Sequence, residues 1–332
     1  MHIIIDIMKA KFFPILMNKK AEIDGFNLLT HNFVRFCDLL QPYVEYVTDR
    51  SIESLFYFKE IIPIIEDRRT DSQQIQQALA FFRELKKEAS VYIPAFRIPE
   101  SISNEEINLL DGFIEGRHAD GLGIAIRINN GQDAVFDYSF FNKLNNRDYI
   151  FVDLGESNYK TAMFFLDDIK DKNSLVKVVI ISSERRNKKT SKNYCDFGKE
   201  PDINSSVLES LRNDSFKEFG FATYCGCRST INEVGIGIKA FGLILLMNFD
   251  DSSFFSIKSP VCSYIGTTYA ALKPFILDRK DAVLGLLNEN SISRERLETF
   301  LENENKGNAQ FYIGLSIVHY IEELLYKYYK VV

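Results

Sequence analysis

The sequence contains few of the residues and spacings on which common metal-dependent and hydrolytic sites are built. It has four histidines in 332 residues, and none has the His-x-His or His-Glu-x-x-His spacing of a metal site. No nucleophile-elbow motif supports a Ser/His/Asp hydrolase. The Gly-x-Gly sequences at 121–123 and 235–237 precede predicted strands rather than helices, so neither predicts a phosphate-binding loop. These absences argue against the enzyme classes that short motifs reveal most directly.

Cysteines and long hydrophobic runs are also scarce. The five cysteines are odd in number and scattered, which is typical of a protein in a reducing cytosol. Cys225-Gly-Cys227 is too tight and too isolated for zinc, so we predict no metal site there. The longest apolar stretch, residues 234–249, is interrupted by Lys239 and is shorter than a bilayer span. We therefore predict a cytoplasmic protein that does not contact a membrane, and no particular cofactor is indicated.

The composition is that of an ordinary folded protein. Aromatic residues make up 13% of the chain, which favours a folded structure over disorder. The net charge of −6 argues against a protein that coats nucleic acid, although it allows a local basic surface. A chain of this length can bury a substantial core.

Short apolar runs recur at a spacing of roughly thirty residues, the period of a β/α unit. The runs are Phe12–Met17, Ile61–Glu66, Val91–Phe96, Leu122–Ile128, Tyr149–Leu154, Lys177–Ser183, Phe219–Cys225 and Phe241–Phe249. Helical patterns lie between them at 71–85, 158–169 and 207–216, and Ser103 to Glu106 is a capping box. The longer run from Ala21 to Val47 indicates two helices. This alternation predicts a TIM-like (β/α) barrel.

The predicted barrel is irregular at its last strands and is followed by a C-terminal helical extension. Phe241–Phe249 and the next apolar run, residues 254–258, are more typical of a hairpin than of a strand that leads into a helix. No Pro-, Gly- or Ser-rich linker follows, so we predict a single domain over residues 1–332, with residues 267–332 as helices packed on it. A broad apolar stripe on a helix starting near Asn308 includes His319, which we interpret as a core histidine.

Polar residues follow most of the predicted strands, and the carboxyl ends of strands carry the chemistry in parallel barrels. The charges inside apolar runs, Arg127 and Asp153, are the most informative, because a buried charge must be paired or must bind something. Two interpretations stay open at this stage: a structural ion pair of Arg127 with Glu66 or Asp153, or a ligand pocket. The predicted ligand-binding residues are Lys19, Glu22, Glu66, Arg127, Asp153, Arg185 and Tyr224.

The segment after the sixth run is strongly basic, with five Lys and Arg residues between Arg185 and Lys192. If it overhangs the barrel mouth together with Lys19 and Arg127, the mouth suits a phosphate, a nucleotide or a nucleic-acid end. Two alternatives remain. Glu22, Glu66 and Asp153 are candidates to hold a divalent ion for phosphodiester hydrolysis, and the aromatic tail is a candidate docking surface for a partner protein.

The order of several short motifs resembles the beta-family proteins of phages and bacterial mobile or defence islands, whose activity is not established. Pro14-x-Leu16, then Lys19 and Glu22, is similar to the opening Pro-x-Leu-Lys-x-Lys-x-x-Glu of that family. Residues 62–66 are similar to its Pro-Leu-Ile-Glu. Arg127 and Asp153-Leu-Gly match its Leu-Arg-Ile and Asp-Leu-Gly, and residues 311–321 resemble its Trp-Arg segment leading to His-His-Ile.

Departures from the family pattern bear on activity. Met17 replaces the first lysine of the family motif, and residues 222–224 read Ala-Thr-Tyr where the family has Gly-Asp-Tyr. Phe311-Tyr312 replaces Trp-Arg, and only one histidine of the pair remains, at His319. The resemblance therefore implies a phage-defence component that binds its ligand without catalysis if the lost residues carry the family's chemistry.

Overall fold

The structure is a computed structural model that describes residues 12–32, 39–47, 58, 61–69, 75–88, 91–155, 159–182, 194–200, 219–225, 242–250, 253–259, 269–305 and 307–329. The chain divides into two compact units. The first unit comprises residues 1–18, 35–182 and 209–223, and the second comprises residues 19–34, 183–208 and 224–332.

The strands are β1 (Phe12–Met17), β2 (Tyr43–Tyr46), β3 (Ile64–Asp67), β4 (Ile93–Arg97), β5 (Ala125–Asn129), β6 (Tyr149–Asp153), β7 (Lys177–Ile181), β8 (Phe197–Glu200), β9 (Gly220–Thr223), β10 (Leu243–Asn248) and β11 (Ser253–Lys258). The α-helices are α1 (Lys20–Asn32), α2 (Ile75–Glu88), α3 (Asn104–Ala119), α4 (Tyr159–Lys172), α5 (Leu272–Leu277), α6 (Lys280–Leu284), α7 (Ile292–Glu302) and α8 (Ala309–Tyr329). Two 3₁₀ helices, Asp133–Asp137 and Ser139–Lys143, lie between β5 and β6.

The first unit is a closed barrel of eight parallel strands, β1 to β7 and β9. β9 pairs with β7 on one side and with β1 on the other, which closes the barrel. Helices α2, α3 and α4 separate successive strands along the chain. The predicted TIM-like α/β barrel is therefore confirmed.

Both faces of the barrel strands are buried, which explains why they appear in the sequence as continuous apolar runs. Alternate residues such as Ile126 and Ile150 join the core between the strands and the surrounding helices. The other set points into the barrel, where Phe13 of β1 contacts Phe151 of β6 across the interior, with ring centroids 5.3 Å apart. This alternation decides which charged residues enter the barrel.

The structure corrects one sequence prediction about the strands. Residues 43–46, within the segment predicted as two helices, form β2, while the first half of that segment is helix α1 as predicted. The described residues of the last apolar run, 242–249, contribute no barrel strand: β10 pairs antiparallel with β11, and β11 pairs antiparallel with β8. The hairpin prediction for this region is confirmed.

Local sequence signals account for the entry into β5. Ser103 Oγ accepts a hydrogen bond from Glu106 N–H, and the Glu106 carboxylate accepts one from Ser103 N–H, which completes the predicted capping box of α3. After α3, Gly121 has a φ of +75°, which favours glycine. A Cβ at Gly123 would lie 2.2 Å from the carbonyl oxygen of Arg147, so this position also requires glycine. The two glycines of the Gly-x-Gly sequence are therefore explained by the backbone conformation and the close packing between α3 and β5.

The second unit combines the antiparallel sheet β10–β11–β8 with helices α1 and α5 to α8. Helix α8 packs against α1, β10 and α7. A Cβ at Gly25 of α1 would lie 3.0 Å from Cα of Gly314, so the paired glycines allow these helices to approach closely. At the start of the predicted helical extension, residues 269–288 contain two short helices, α5 and α6. Among the described residues, no helix combines the length and the apolarity needed to cross a membrane.

Candidate ligand-binding site

Charged side chains converge inside the barrel near the carboxyl ends of its strands, with Arg127 of β5 at their centre. Arg127 Nη1 donates hydrogen bonds to Glu45 Oε1 of β2 at 2.8 Å and to Glu66 Oε2 of β3 at 3.0 Å. Arg127 Nη2 donates to Asp153 Oδ2 of β6. Its side chain is only 3% exposed. One guanidinium therefore joins four strands across the interior.

Two further arginines surround these carboxylates. Arg97 at the end of β4 pairs with Glu66, with Nε 2.8 Å from Oε1 and Nη2 3.4 Å from Oε2. Arg97 Nη2 also lies 3.7 Å from Glu45 Oε1. Arg68, which follows β3, donates from Nη1 to Glu45 Oε2 at 2.7 Å. The arginine–carboxylate cluster thus consists of Glu45, Glu66, Arg68, Arg97, Arg127 and Asp153.

An aromatic layer lies against the cluster inside the barrel. Tyr43 donates from its hydroxyl to Glu66 Oε2 at 2.7 Å, and its ring lies 5.9 Å from the Arg127 guanidinium. Burial raises the pKa of Tyr43, and the Glu66 carboxylate raises it further, so this hydroxyl stays protonated and acts as a donor. The Tyr43 ring also contacts Phe151 at a centroid distance of 4.8 Å. The cluster is therefore closed off on one side by rings.

The electrostatics favour the ionised forms of Glu66 and Asp153. Burial alone would raise the pKa of Glu66, but Arg97, Arg127 and Arg68 together lower it to about 2. The pKa of Asp153 is also lowered: Arg127 and the backbone N–H of Gly155 outweigh the effect of burial. Three arginines face three carboxylates, so the formal charge of the cluster is zero.

The predicted convergence of Glu66, Arg127 and Asp153 at one end of a parallel barrel is confirmed. Arg127 bonds to both acids that were considered as its ion-pair partner. Their role in binding a ligand stays a prediction.

Three other predicted site residues belong to the second unit: Lys19 is exposed, whereas Glu22 and Tyr224 are buried. The remaining one, Arg185, and the basic segment around it lie outside the described residues.

Sequence reasoning missed Glu45 and Tyr43, because β2 was assigned to a helix. A signal was present: Pro42 is followed by Tyr-Val-Glu-Tyr, a short β-favouring run that carries a single acid. An acid inside a buried strand, like Arg127 inside β5, must be paired with an opposite charge or must bind something. Arg97 follows an apolar run directly, but it was not among the predicted ligand-binding residues.

Within the described ranges, no group of three or more His, Cys, Asp or Glu residues is arranged to hold a metal ion. Glu45, Glu66 and Asp153 are near one another, but each is bonded to Arg127. His118 lies at the amino end of the barrel strands, where its Nε2 is 2.9 Å from Asp148 Oδ2. Its place supports the structural role expected of residues at that face.

His319 in α8 is a core histidine of the second unit, as predicted. It is 1% exposed, and its Nε2 donates to the carbonyl oxygen of Met247 at 2.9 Å. Nδ1 has no hydrogen-bond partner in the part of the chain that the structure describes. Burial lowers the pKa of His319 to about 4, because a proton on Nδ1 would place a charge in the core.

We expect acid to destabilise the second unit through His319. The pKa of this histidine is depressed in the fold, so its contribution is fully present above about pH 6.5 and is lost as the pH falls towards 4. The loss amounts to at most about 3 kcal/mol, from 1.36 kcal/mol per pH unit. Urea denaturation at pH 7 and pH 4.5 measures it. The His319→Gln variant should lose less stability over that interval, and an equal loss would contradict the assignment.

The fold and the cluster define the class of this protein as a TIM-like α/β barrel with a buried arginine–carboxylate network at the carboxyl ends of its strands. Comparisons of the chain with protein-family models, with curated protein sequences and with solved structures find no match. The function therefore has to be argued from the network itself.

Proposed function

We propose that this barrel binds a small ligand carrying a phosphate or another anionic group, and that Arg97 is the residue that contacts it. The observation that carries the proposal is the bonding of Arg97. Its Nε and Nη2 are engaged by Glu66 and Glu45, while Nη1 has no acceptor among the described residues. The side chain is 17% exposed. Two N–H groups of a fixed guanidinium are thus available at the carboxyl end of the barrel, where parallel barrels bind ligands.

Arg127 acts in this proposal as a positioning residue. It is nearly inaccessible and bonds to three carboxylates, so it has little capacity left for a ligand. It holds Glu45 and Glu66 in place, and these two acids hold Arg97. A guanidinium with a fixed orientation binds phosphate or carboxylate oxygens more strongly than a mobile one, because less side-chain entropy is lost on binding.

The same contacts favour anion binding over the alternative of a divalent-metal phosphodiesterase. A metal ion between Glu66 and Asp153 would have to displace Arg127 from both acids. Glu66 is also paired with Arg97, and the low pKa of Glu66 reflects this strong pairing. The other alternative, in which the aromatic tail docks a partner protein, does not account for the buried network. Metal-dependent hydrolysis and protein docking therefore explain less of the observed geometry.

Membership of the beta family, a phage-defence role and a cytoplasmic location are also proposals. The support for the family and its phage-defence role is the order of the resembling motifs, and the support for the location is the scattered cysteines and the scarcity of long apolar runs. The chain has Thr223 where the family's Gly-Asp-Tyr motif has its aspartate. We therefore propose a ligand-binding protein rather than an enzyme.

We expect pyrophosphate to bind to the full-length protein and Arg97→Gln to weaken that binding at least ten-fold. Glutamine removes the charged donors of Nη1, and charge-assisted hydrogen bonds contribute about 1.5–3 kcal/mol each. Isothermal titration calorimetry at 50 and 200 mM NaCl measures the affinity, which should fall as salt rises. Arg147→Gln, an exposed arginine at the amino end of the barrel, is the matched control and should change the affinity less than two-fold.

Two results would contradict the proposal. One is the absence of saturable binding with pyrophosphate, AMP and a short oligonucleotide. The other is equal affinity for Arg97→Gln and the unmodified protein, with both folded by circular dichroism. Binding that appears only with added Mg²⁺ or Mn²⁺ would favour the metal-dependent alternative instead.

A further inference from the structure

A cavity of about 430 Å³ lies within the second unit, at the lower end of the size range for small-molecule sites. Its apolar walls are Leu28 of α1, Ile292 and Phe300 of α7, and Phe311 of α8. The other residues that line the cavity are polar, namely Glu295, Arg296, Thr299, Asn303 and Asn305, and Arg296 is the one cation among the described lining residues. An open cavity that combines an aromatic and aliphatic wall with one cationic group suits a small organic anion.

The bonding of Arg296 is incomplete. Its Nη1 is enclosed by protein atoms and has no hydrogen-bond partner within the described residues. The guanidinium lies 5.2 Å from the centroid of the Phe311 ring, and Phe311 stacks on Phe300 at 4.1 Å. Burial lowers the pKa of Arg296. A half-buried guanidinium that lacks an acceptor is costly. Nη1 itself is inaccessible, so an anion in the cavity would bind Nε and Nη2, which have no acceptor among the described residues either.

The neighbouring acids limit the charge that the cavity tolerates. Asp24 of α1 attracts Arg296 and partly offsets the effect of burial on its pKa. The hydrogen bond to the Asp24 carboxylate comes from Gln310 Nε2, however, and the described contacts include no ion pair between Asp24 and Arg296. Glu295 also lines the cavity. Two carboxylates near one arginine disfavour a polyanion such as a nucleotide, so the cavity tolerates at most a single negative charge on a ligand.

We propose that this cavity binds a small carboxylic acid with a flat apolar body. The Arg296 guanidinium takes the carboxylate, because the planar fork of arginine matches a carboxylate in two parallel hydrogen bonds. The aromatic and aliphatic walls, Phe300, Phe311, Leu28 and Ile292, take the apolar body. This site is independent of the proposed function of the barrel, because none of its residues belongs to the arginine–carboxylate cluster.

The test compares benzoate with its neutral isostere benzamide by calorimetry on the full-length protein. Benzoate should bind saturably and at least ten-fold more tightly than benzamide. Arg296→Met should weaken benzoate binding at least ten-fold. Arg294→Met, on the same helix but paired with Glu298 and outside the cavity wall, is the matched control and should change the affinity less than two-fold.

Equal affinities for benzoate and benzamide would overturn the proposal, as would undiminished benzoate binding by Arg296→Met or no saturable binding of benzoate at all. If Arg296→Met does not fold, Arg296→Lys keeps the charge but loses the planar fork. It should weaken benzoate binding three-fold or more, and an unchanged affinity in that variant would overturn the proposal as well.

Discussion

Replacing Arg127 with methionine is expected to lower the free energy of unfolding by about 3–5 kcal/mol at pH 7, the cost of breaking a buried ion pair on one side. Methionine retains the apolar stem but removes the hydrogen bonds to Glu45, Glu66 and Asp153. Glu45 and Glu66 then remain buried with fewer positive partners. Urea denaturation followed by circular dichroism measures the loss. Arg83→Met, on the exposed side of α2, is the control and should change stability by less than about 0.5 kcal/mol.

The pH dependence separates lost electrostatics from lost packing. In the intact cluster the pKa of Glu66 is about 2, below its ordinary value of 4.5, so its contribution is present above pH 4.5 and is lost as the pH falls towards 2. In Arg127→Met the pKa of Glu66 should rise, because burial then meets less opposition. The stability difference between the two proteins should therefore narrow from pH 7 to pH 3. A constant difference over this range would assign the loss to packing alone.

Deleting residues 308–332 is expected to unfold the second unit. The deletion removes α8, whose buried stripe was predicted from the sequence and includes Tyr312, Leu315, Val318 and Ile321. Without α8, the faces of α1, β10 and α7 that pack against it are left in water. Calorimetry of the full chain and the truncated chain measures the effect. An unchanged melting temperature and enthalpy after truncation would show that α8 contributes nothing to the core.

Single substitutions in α8 rank its contributions. Leu315→Ala should cost about 2–5 kcal/mol, the usual range for a fully buried leucine. His319→Gln should cost less at pH 7, because the glutamine amide can still donate to the Met247 carbonyl. Lys327→Ala removes only an exposed ion pair with Asp250 and should cost under about 1 kcal/mol. A larger loss for His319→Gln than for Leu315→Ala would indicate that polar bonding dominates this core.

The barrel was predictable because its strands are buried on both faces, and seven of the eight therefore appear in the sequence as apolar runs. The capping box at Ser103 and the stripe on α8 were also predictable, since both depend on residues three or four positions apart. Strand β2 was not predictable, because four residues are too few to establish a periodicity. The helical pattern of the neighbouring residues also extended over them. Phe241–Phe249 was ambiguous because an apolar run does not reveal whether its partner is parallel or antiparallel.

In the candidate site, too, some features were predictable from the sequence and others were not. By itself, the sequence determined that Arg127, Glu66 and Asp153 sit late in buried strands and must therefore be paired or bind something. Only the tertiary structure decided that Glu45, 82 residues before Arg127, shares the same guanidinium, and that Arg97 keeps N–H groups available. The physical reason is that period and burial are properties of neighbouring residues. The pairing of charges across a closed barrel depends instead on strand register, which is settled only when all eight strands meet.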